Sequence, residues 1–388
     1  MVGLLEDPRI DQALLARYGF DAGRFSRYAS EIARGTRDER SSLITAPIEP
    51  APGVVEVSFE GPRAEEARAL GTAALRAGEV AAVVLNGGMA TRFGGVVKGV
   101  VEVDRGRSFI ALKAEDARRA EERWGAPVPL VLMNSFATEA ATREHLTRNH
   151  GFGLADHQLR SFNQTIALRL NPDGTLFIGD DGRPSYYAPG HGDFFGCIRR
   201  SGVLAELLDR GVRTITFSNV DNLGATIDPV IIGYHLLARA EMTAEVTAKR
   251  RTATGEWDKG GAPAQVAGRV QLVEGFRLPP ELPPTFLPDF STNNFLFDAR
   301  AIDRDIPLEW HVVKKKVDDR PALQLESISC EASAALDERG QPLLRLGLLR
   351  VPREGERGRF FPIKEREDLD ALRGAIIARL EASWRTPV

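Results

Sequence analysis

The chain has 388 residues, of which 43% are hydrophobic and 27% charged, with a formal net charge of -3. That balance supplies no basic field for DNA or RNA, and the length allows a core of about 200–250 residues plus appendages. Two cysteines, Cys197 and Cys330, with no C-x-x-C spacing argue against a disulfide framework or structural zinc and fit a reducing, cytoplasmic setting.

In chain order, "MVGLLEDPRIDQALLARYGF" carries acids early and is expected to be neither a leader nor a membrane anchor. Residues 1–40 read as short amphipathic helices, with Leu14, Leu15, Tyr18 and Phe25 on one inward face. The Pro-rich 44–53 reads as a linker, and a helix over 63–77 leads into a strand at 81–85. "PLVLMN" (129–134) is a buried strand followed by a helix at 138–146; "LAELLDRG" (204–211) is a helix and "TITFSNV" (214–220) the next strand. The Pro-rich 277–288 is a loop, and 368–384 forms an amphipathic closing helix. Alternating helices and nearly continuous apolar strands predict a Rossmann-like α/β sheet, mixed but mainly parallel, with helices on both faces. The expected organisation is a helical N-terminal region and linker (1–75), a catalytic domain (76–350) and a short C-terminal segment (351–388).

The chemistry concentrates in "VVLNGGMATRFGGVVKGVVEV" (83–103), where a strand-like run breaks into glycines framed by Arg92 and Lys98. Glycines after a strand let backbone amides approach a phosphate or a flat base. The phosphate loop Gly-x-x-x-x-Gly-Lys-Ser/Thr fails, because Gly99 follows Lys98, and the dinucleotide Gly-x-Gly-x-x-Gly is not supplied. Two readings of this stretch stay open: a Leu-x-Gly-Gly-x-x-Thr-Arg-x-Gly nucleotide loop, or a plain glycine turn with solvent-facing Arg92 and Lys98.

The stretch resembles the nucleotide loop of the UDP-sugar pyrophosphorylases, and further segments resemble the same family in the same order. These are "PLVLMNSF" (129–136), "FNQ" (162–164), "APGHGDFFGCIRRSGVLAELLDRGVRTITFSNVDNLGATIDP" (188–229), "STNNFLF" (291–297) and "HVVKKKVDDRPALQLES" (311–327). The resemblance spans roughly residues 80–365 and implies a nucleotidyltransferase, GT-A-like fold. It also implies a uridylyltransferase that joins UTP to a sugar 1-phosphate with Mg²⁺; a monomer or weak oligomer is expected, and the charge and the lack of a long apolar run predict neither nucleic acid nor membrane as partner.

The roles implied by the resemblance are specific. Leu85, Asn86, Gly87 and Gly88 would hold base and ribose, Gln164 would read the uracil edge, and Gly190 would let the base pack closely. An amide suits uracil because it both donates and accepts. Asp221, at the end of a strand, would hold the metal; Mg²⁺ needs only one or two carboxylates beside phosphates and water. Lys98 and Lys315, with Arg92, would flank the triphosphate, Lys314 being the reserve within the Lys314-Lys315-Lys316 run. His191, Asn219, Glu274 and Asn294 would read the sugar hydroxyls.

Ala90 stands where the family usually has glycine, and Lys98 lacks the usual preceding proline. Thr91-Arg92 looks like the N-acetylglucosamine branch, whereas Gly190-His191-Gly192-Asp193 looks like the glucose branch. Glucose 1-phosphate is the expected acceptor, another hexose 1-phosphate the alternative, and a nucleotide-sugar binder without catalysis the rival of a different class. No C-terminal β-helix is expected after "RFFPIKEREDL" (359–369).

Overall fold

The computed structural model describes residues 3–90, 95–251, 255–258 and 260–385. Its centre is an eight-stranded sheet built from β1 (Val55–Glu56), β2 (Val80–Leu85), β3 (Leu130–Asn134), β4 (Leu159–Asn163), β5 (Thr214–Asn219), β6 (Met242–Ala248), β7 (Asp289–Asp298) and β8 (Leu346–Arg350). The strand order is β1-β8-β6-β7-β5-β2-β3-β4. Every neighbouring pair is parallel except those made by β7, which runs antiparallel to both β5 and β6.

The apolar runs of β2 and β3 follow from burial on both faces. Val80, Ala82, Val84, Leu130 and Leu132 enter one core with helices Pro62–Arg76, Phe109–Trp124, Pro229–Leu237 and Arg366–Arg385. Ala81, Val83, Val131 and Met133 enter the other, against helices Phe194–Arg200 and Val203–Asp209. Helix starts obey local chemistry: the Ser108 hydroxyl accepts from Ala111 N, and Asp228 accepts from Val230 N ahead of Pro229.

Helices Gln12–Arg17 and Ala22–Ala33 share a third core with Trp310, Val312, Leu323 and Leu325, which lie on or beside the hairpin His311–Val317/Arg320–Glu326. Phe361, Ile363, Leu369 and Leu380 belong to the first core. Leu75 and Val80, and likewise Leu349 and Val351, share that core. The stretch read as a linker is also partly strand: Ile48–Pro50 pairs with Ala264–Val266 at the edge of a small sheet. An edge position tolerates Pro50, whose missing N–H costs no ladder bond there.

Helices Pro62–Arg76 and Pro229–Leu237 cross at two glycines. A Cβ on Gly233 would sit 1.7 Å from Ala67 O, and one on Gly71 would sit 1.9 Å from Pro229 O. Both obstacles are backbone, so the helices would have to separate. Gly233→Ala should lose stability at or above the ~1–3 kcal/mol of an overpacked core. Gly374→Ala, with open space around its Cβ, should be neutral or slightly stabilising. Urea midpoints of the two variants check this; equal midpoints would refute the close crossing.

Candidate active site

The parallel strands β2, β3, β4 and β5 end together at Leu85, Asn134, Asn163 and Asn219, the edge where ligands bind in open α/β sheets. Two adjoining hollows open there, of about 350 and 270 Å³, and Lys98, His191, Asn219 and Asp221 line both. The first alone falls within the ~300–1,000 Å³ of small-molecule sites. Its far end is walled by Leu85, Gly87, Gly88, Gln164, Ala188 and Gly190. The second is walled by Glu274, Phe290, Asn293 and the segment Phe360–Lys364.

At the junction, Lys98 Nζ donates to Asp221 Oδ2 and, at 2.5 Å, to the carbonyl of Ile363. The glycine loop, the Asp221 loop and the Lys364 segment thus meet on one ammonium. Beneath them the buried Lys113 donates to Ser218 Oγ at 3.1 Å and to the carbonyls of Asn222 and Ala225 at 2.9 and 3.1 Å. It holds the chain on both sides of Asp221, and burial pushes its pKa down to about 8.

His191 is fixed in tautomer. Its Nδ1 accepts the backbone N–H of Ser329 at 3.1 Å, so the ring proton sits on Nε2 as a donor. Burial pushes its pKa down to about 4, and the ring is neutral at physiological pH. Burial raises the Glu274 carboxyl, whose Oε1 accepts from Cys330 Sγ at 3.4 Å. Asp193 is held apart from the hollows' lining, its carboxylate accepting from Thr165 N at 2.9 Å and Thr165 Oγ1 at 2.5 Å.

Two of the expected glycines, Gly87 and Gly190, are crowded by protein. A Cβ on Gly87 would meet Gln164 Nε2 at 2.0 Å, while Gly88 has nothing within 4 Å. Gly190, at φ 106°, would meet Ser327 O at 2.3 Å, so the 189–192 turn crosses the chain at Ser327.

Of the residues expected from sequence, Leu85, Gly87, Gly88, Lys98, Gln164, Gly190, His191, Asn219, Glu274 and Asp221 line these hollows. Arg92 lies outside the described residues. Three others line neither hollow. Asn86 is buried behind the loop, its Nδ2 donating to Asn134 Oδ1 and Thr142 Oγ1 at 2.7 and 2.8 Å. Asn294 is also buried, and its neighbour Asn293 lines the second hollow. In β7, Glu245 of β6 opposes Asn294 and Val246 opposes Ser291, so Thr292 and Asn293 bulge out. Asn293, at φ 58°, turns its amide toward the hollow, where Nδ2 donates to Asn219 Oδ1 at 2.9 Å.

Lys315 is the third. It sits on the outer hairpin, 3.1 Å from Glu326, while Lys314 reaches Glu39 and Lys316 reaches Asp319. The lysine that lines the second hollow with Lys98 and Asp221 is Lys364, in "RFFPIK", which sequence reasoning passed over. The available signal was its position directly after an apolar "FFPI" run that ends in a cation.

The fold is thus a mixed, mainly parallel α/β sheet with the Lys98–Asp221 pair beyond its strand ends. The UTP–glucose-1-phosphate uridylyltransferase family pattern matches residues 27–381, and the chain belongs to that family. A Dictyostelium discoideum UTP–glucose-1-phosphate uridylyltransferase 2 is 32% identical over 312 residues, 76% of this chain and 58% of that protein. A Saccharomyces cerevisiae UTP–glucose-1-phosphate uridylyltransferase is 33% identical over 309 residues, covering 75% and 58%. The chain thus spans about 58% of the length of these curated relatives.

Among solved structures, a Trypanosoma brucei UDP-glucose phosphorylase superposes with a TM-score of 0.72 at 24% identity, covering 93% of this chain and 78% of that one. The Trypanosoma brucei uridine diphosphate N-acetylglucosamine pyrophosphorylase gives 0.68 at 19%, covering 90% and 82%. Both likenesses establish the fold.

Proposed function

We propose that the chain is a uridylyltransferase that forms UDP-glucose and pyrophosphate from UTP and glucose 1-phosphate. The observation that carries this reading is the Lys98–Asp221 pair lining two hollows, one glycine-walled and the other lined by Glu274, Asn293 and Lys364. The family match favours glucose over the N-acetylglucosamine alternative. A binder without catalysis would have no need for this charged junction. The buried free cysteines Cys197 and Cys330 suit a cytoplasmic setting. No helix among the described residues is long and apolar enough to cross a membrane. We take the chain to act as a monomer or weak oligomer.

The uracil would lie in the first hollow, where Gln164 can donate to and accept from its edge. The sugar would lie in the second, with Glu274 and Asn293 as carboxylate and amide partners and the His191 Nε2–H as a donor at the junction. A phosphate oxygen of the sugar 1-phosphate attacks the α-phosphorus of UTP in line; that O–P bond forms as the bond to pyrophosphate breaks. The attacking oxygen is ionised at neutral pH, so no general base is required and catalysis rests on positioning and charge neutralisation. Lys98 and Lys364 supply cations from the glycine loop and the C-terminal segment.

No group of three or more His, Cys, Asp or Glu side chains forms a metal cage among the described residues. One carboxylate beside phosphates is nevertheless the donor set that Mg²⁺ accepts, and Asp221 is placed to provide it. Bound there, Mg²⁺ would neutralise charge on the phosphate oxygens.

Pyrophosphate release with a panel of sugar 1-phosphates and with UTP, ATP or GTP tests the proposal. UTP with glucose 1-phosphate should be fastest, and equal use of ATP would remove the uridine assignment. Gly87→Ala should raise KM for UTP at least about tenfold with the fold intact, because its Cβ pushes the Gln164 amide away from the hollow. An unchanged KM would remove Gln164 from base recognition.

The pH dependence has a definite sign at His191. Between about 4 and its ordinary 6.5, the unfolded imidazole binds a proton and the folded one does not. This site's contribution to stability therefore falls as the pH drops through that window. His191→Gln should lose less stability than the parent chain between pH 6.5 and 4 in urea titrations. The kcat/KM profile should show no His191 ionisation between about pH 5 and 8. An inflection that vanishes in His191→Gln would contradict the neutral-donor role.

A further inference from the structure

Asn222 follows Asp221 directly and lines the second hollow, while its amide is taken up in a buried polar network. Its Nδ2 donates to the carbonyl of Arg359 at 3.0 Å and to Asn294 Oδ1 at 3.0 Å, while its Oδ1 accepts Phe361 N at 3.2 Å. One amide side chain thereby grips the backbone of 359–361 by both a carbonyl and an N–H, as a neighbouring strand would. Asn294 Nδ2 reaches the same carbonyl at 3.3 Å.

The Arg359 side chain fixes the segment from the other side. Its guanidinium forks onto Glu245 with Nε–Oε2 at 2.6 Å and Nη2–Oε1 at 2.7 Å, and Nη1 donates to the carbonyl of Thr226 at 3.3 Å. Arg359, Glu245, Asn222 and Asn294 are all buried. The approach is close enough that a Cβ on Gly224 would lie 2.8 Å from the carbonyl carbon of Arg359. Three residues beyond Phe361, Lys364 emerges exposed at the wall of the second hollow. The next element, helix Arg366–Arg385, starts only two residues later.

We infer that Asn222 is a positioning residue that couples the Asp221 loop to the Lys364 segment and so sets the distance between the carboxylate and the second cation. This rests on the uridylyltransferase reading for its kinetic consequence, and on geometry alone for its structural one. Both polar atoms of the Asn222 amide are already bonded to protein. The residue acts through the backbone of 359–361, which has no regular partner strand of its own. The ammonium of Lys98 on the Ile363 carbonyl is a second tie to the same segment, made from the glycine loop.

A double-mutant cycle with Lys364 tests the assignment. Asn222→Ala should lower kcat at least about tenfold while KM for UTP stays within about threefold, because the glycine end of the first hollow is untouched. In a Lys364→Ala background the same Asn222→Ala change should cost less than about twofold, since there is no ammonium left to position. Losses that simply multiply would overturn the coupling. A variant that no longer melts cooperatively would also overturn it, by showing that Asn222 supports the whole fold rather than one segment.

The structural arm does not depend on turnover. Amide hydrogen exchange at Phe361 should speed at least about tenfold in Asn222→Ala, with Val83 in the central sheet unchanged. If the parent chain releases no pyrophosphate from any sugar 1-phosphate, the functional reading fails while this arm still decides the tether. If Phe361 exchange is unchanged, the tether fails even in an active enzyme.

Discussion

Asp221→Ala is expected to abolish turnover at saturating Mg²⁺ with the fold intact. Among the described residues Asp221 is the only carboxylate lining both hollows, and Lys98 already marks it as the anionic pole of the site. A metal-held charge clamp on phosphoryl oxygens is worth several kcal/mol, and at about 1.4 kcal/mol per tenfold the loss should reach at least about a thousandfold. Some loss of stability is also expected, because the side chains of the Lys98–Asp221 pair are only 20% and 18% exposed and Lys98 would keep the Ile363 carbonyl as its partner. Turnover in Asp221→Ala within tenfold of the parent would remove Asp221 from the chemistry. Thermal melting of the same preparation separates a dead site from an unfolded chain. Direct Mg²⁺ titration by calorimetry should lose its binding heat in the variant.

Much of the sheet could be read from sequence because burial on two faces leaves a local trace. In β2 and β3 each successive side chain enters the opposite core, so "VAAVVL" and "LVLM" carry no polar interruption. The antiparallel β7 left no such trace. Its first half, "DFSTNN", is polar because it borders the site, and the bulge at Thr292-Asn293 breaks the period of two. That bulge brings Asn293, rather than the expected Asn294, to the wall of the second hollow. The glycines were legible as a type but not in their reasons. The neighbour that crowds Gly87 is the Gln164 amide, and the neighbour that makes Gly190 necessary is the Ser327 backbone, each far along the chain. Asn86 was drawn into the nucleotide loop by its neighbours in sequence, although its amide turns inward to Asn134 and Thr142.

The lysine assignment shows the same limit, and it sets up the second large effect. Three consecutive lysines at 314–316 are the strongest local cationic signal, yet they lie on a hairpin strand whose side chains find acids outside the hollows. Lys364 follows an irregular segment with no periodicity to read, and only tertiary structure brings it beside Lys98 and Asp221. We predict that Lys364→Ala lowers kcat by about 10²–10³, the ~2.7–4 kcal/mol typical of losing one preorganised contact to transition-state charge. The effect should fall on kcat more than on KM. Charge shifts among the phosphate oxygens as the new bond forms, and an ammonium that meets it then is worth more in the transition state than in the bound ground state. Lys364→Arg should recover only part of the rate, since a planar fork does not replace a compact point charge. Lys315→Ala, with its side chain exposed and paired to Glu326, should stay within about threefold of the parent, as expected for a surface pair worth about 0–1 kcal/mol. Steady-state kinetics on the three variants decide between the two lysines. If Lys315→Ala is the dead variant and Lys364→Ala the active one, the hairpin must swing over the hollow during turnover, and the site drawn here from Lys98, Asp221 and Lys364 is not the one that reacts.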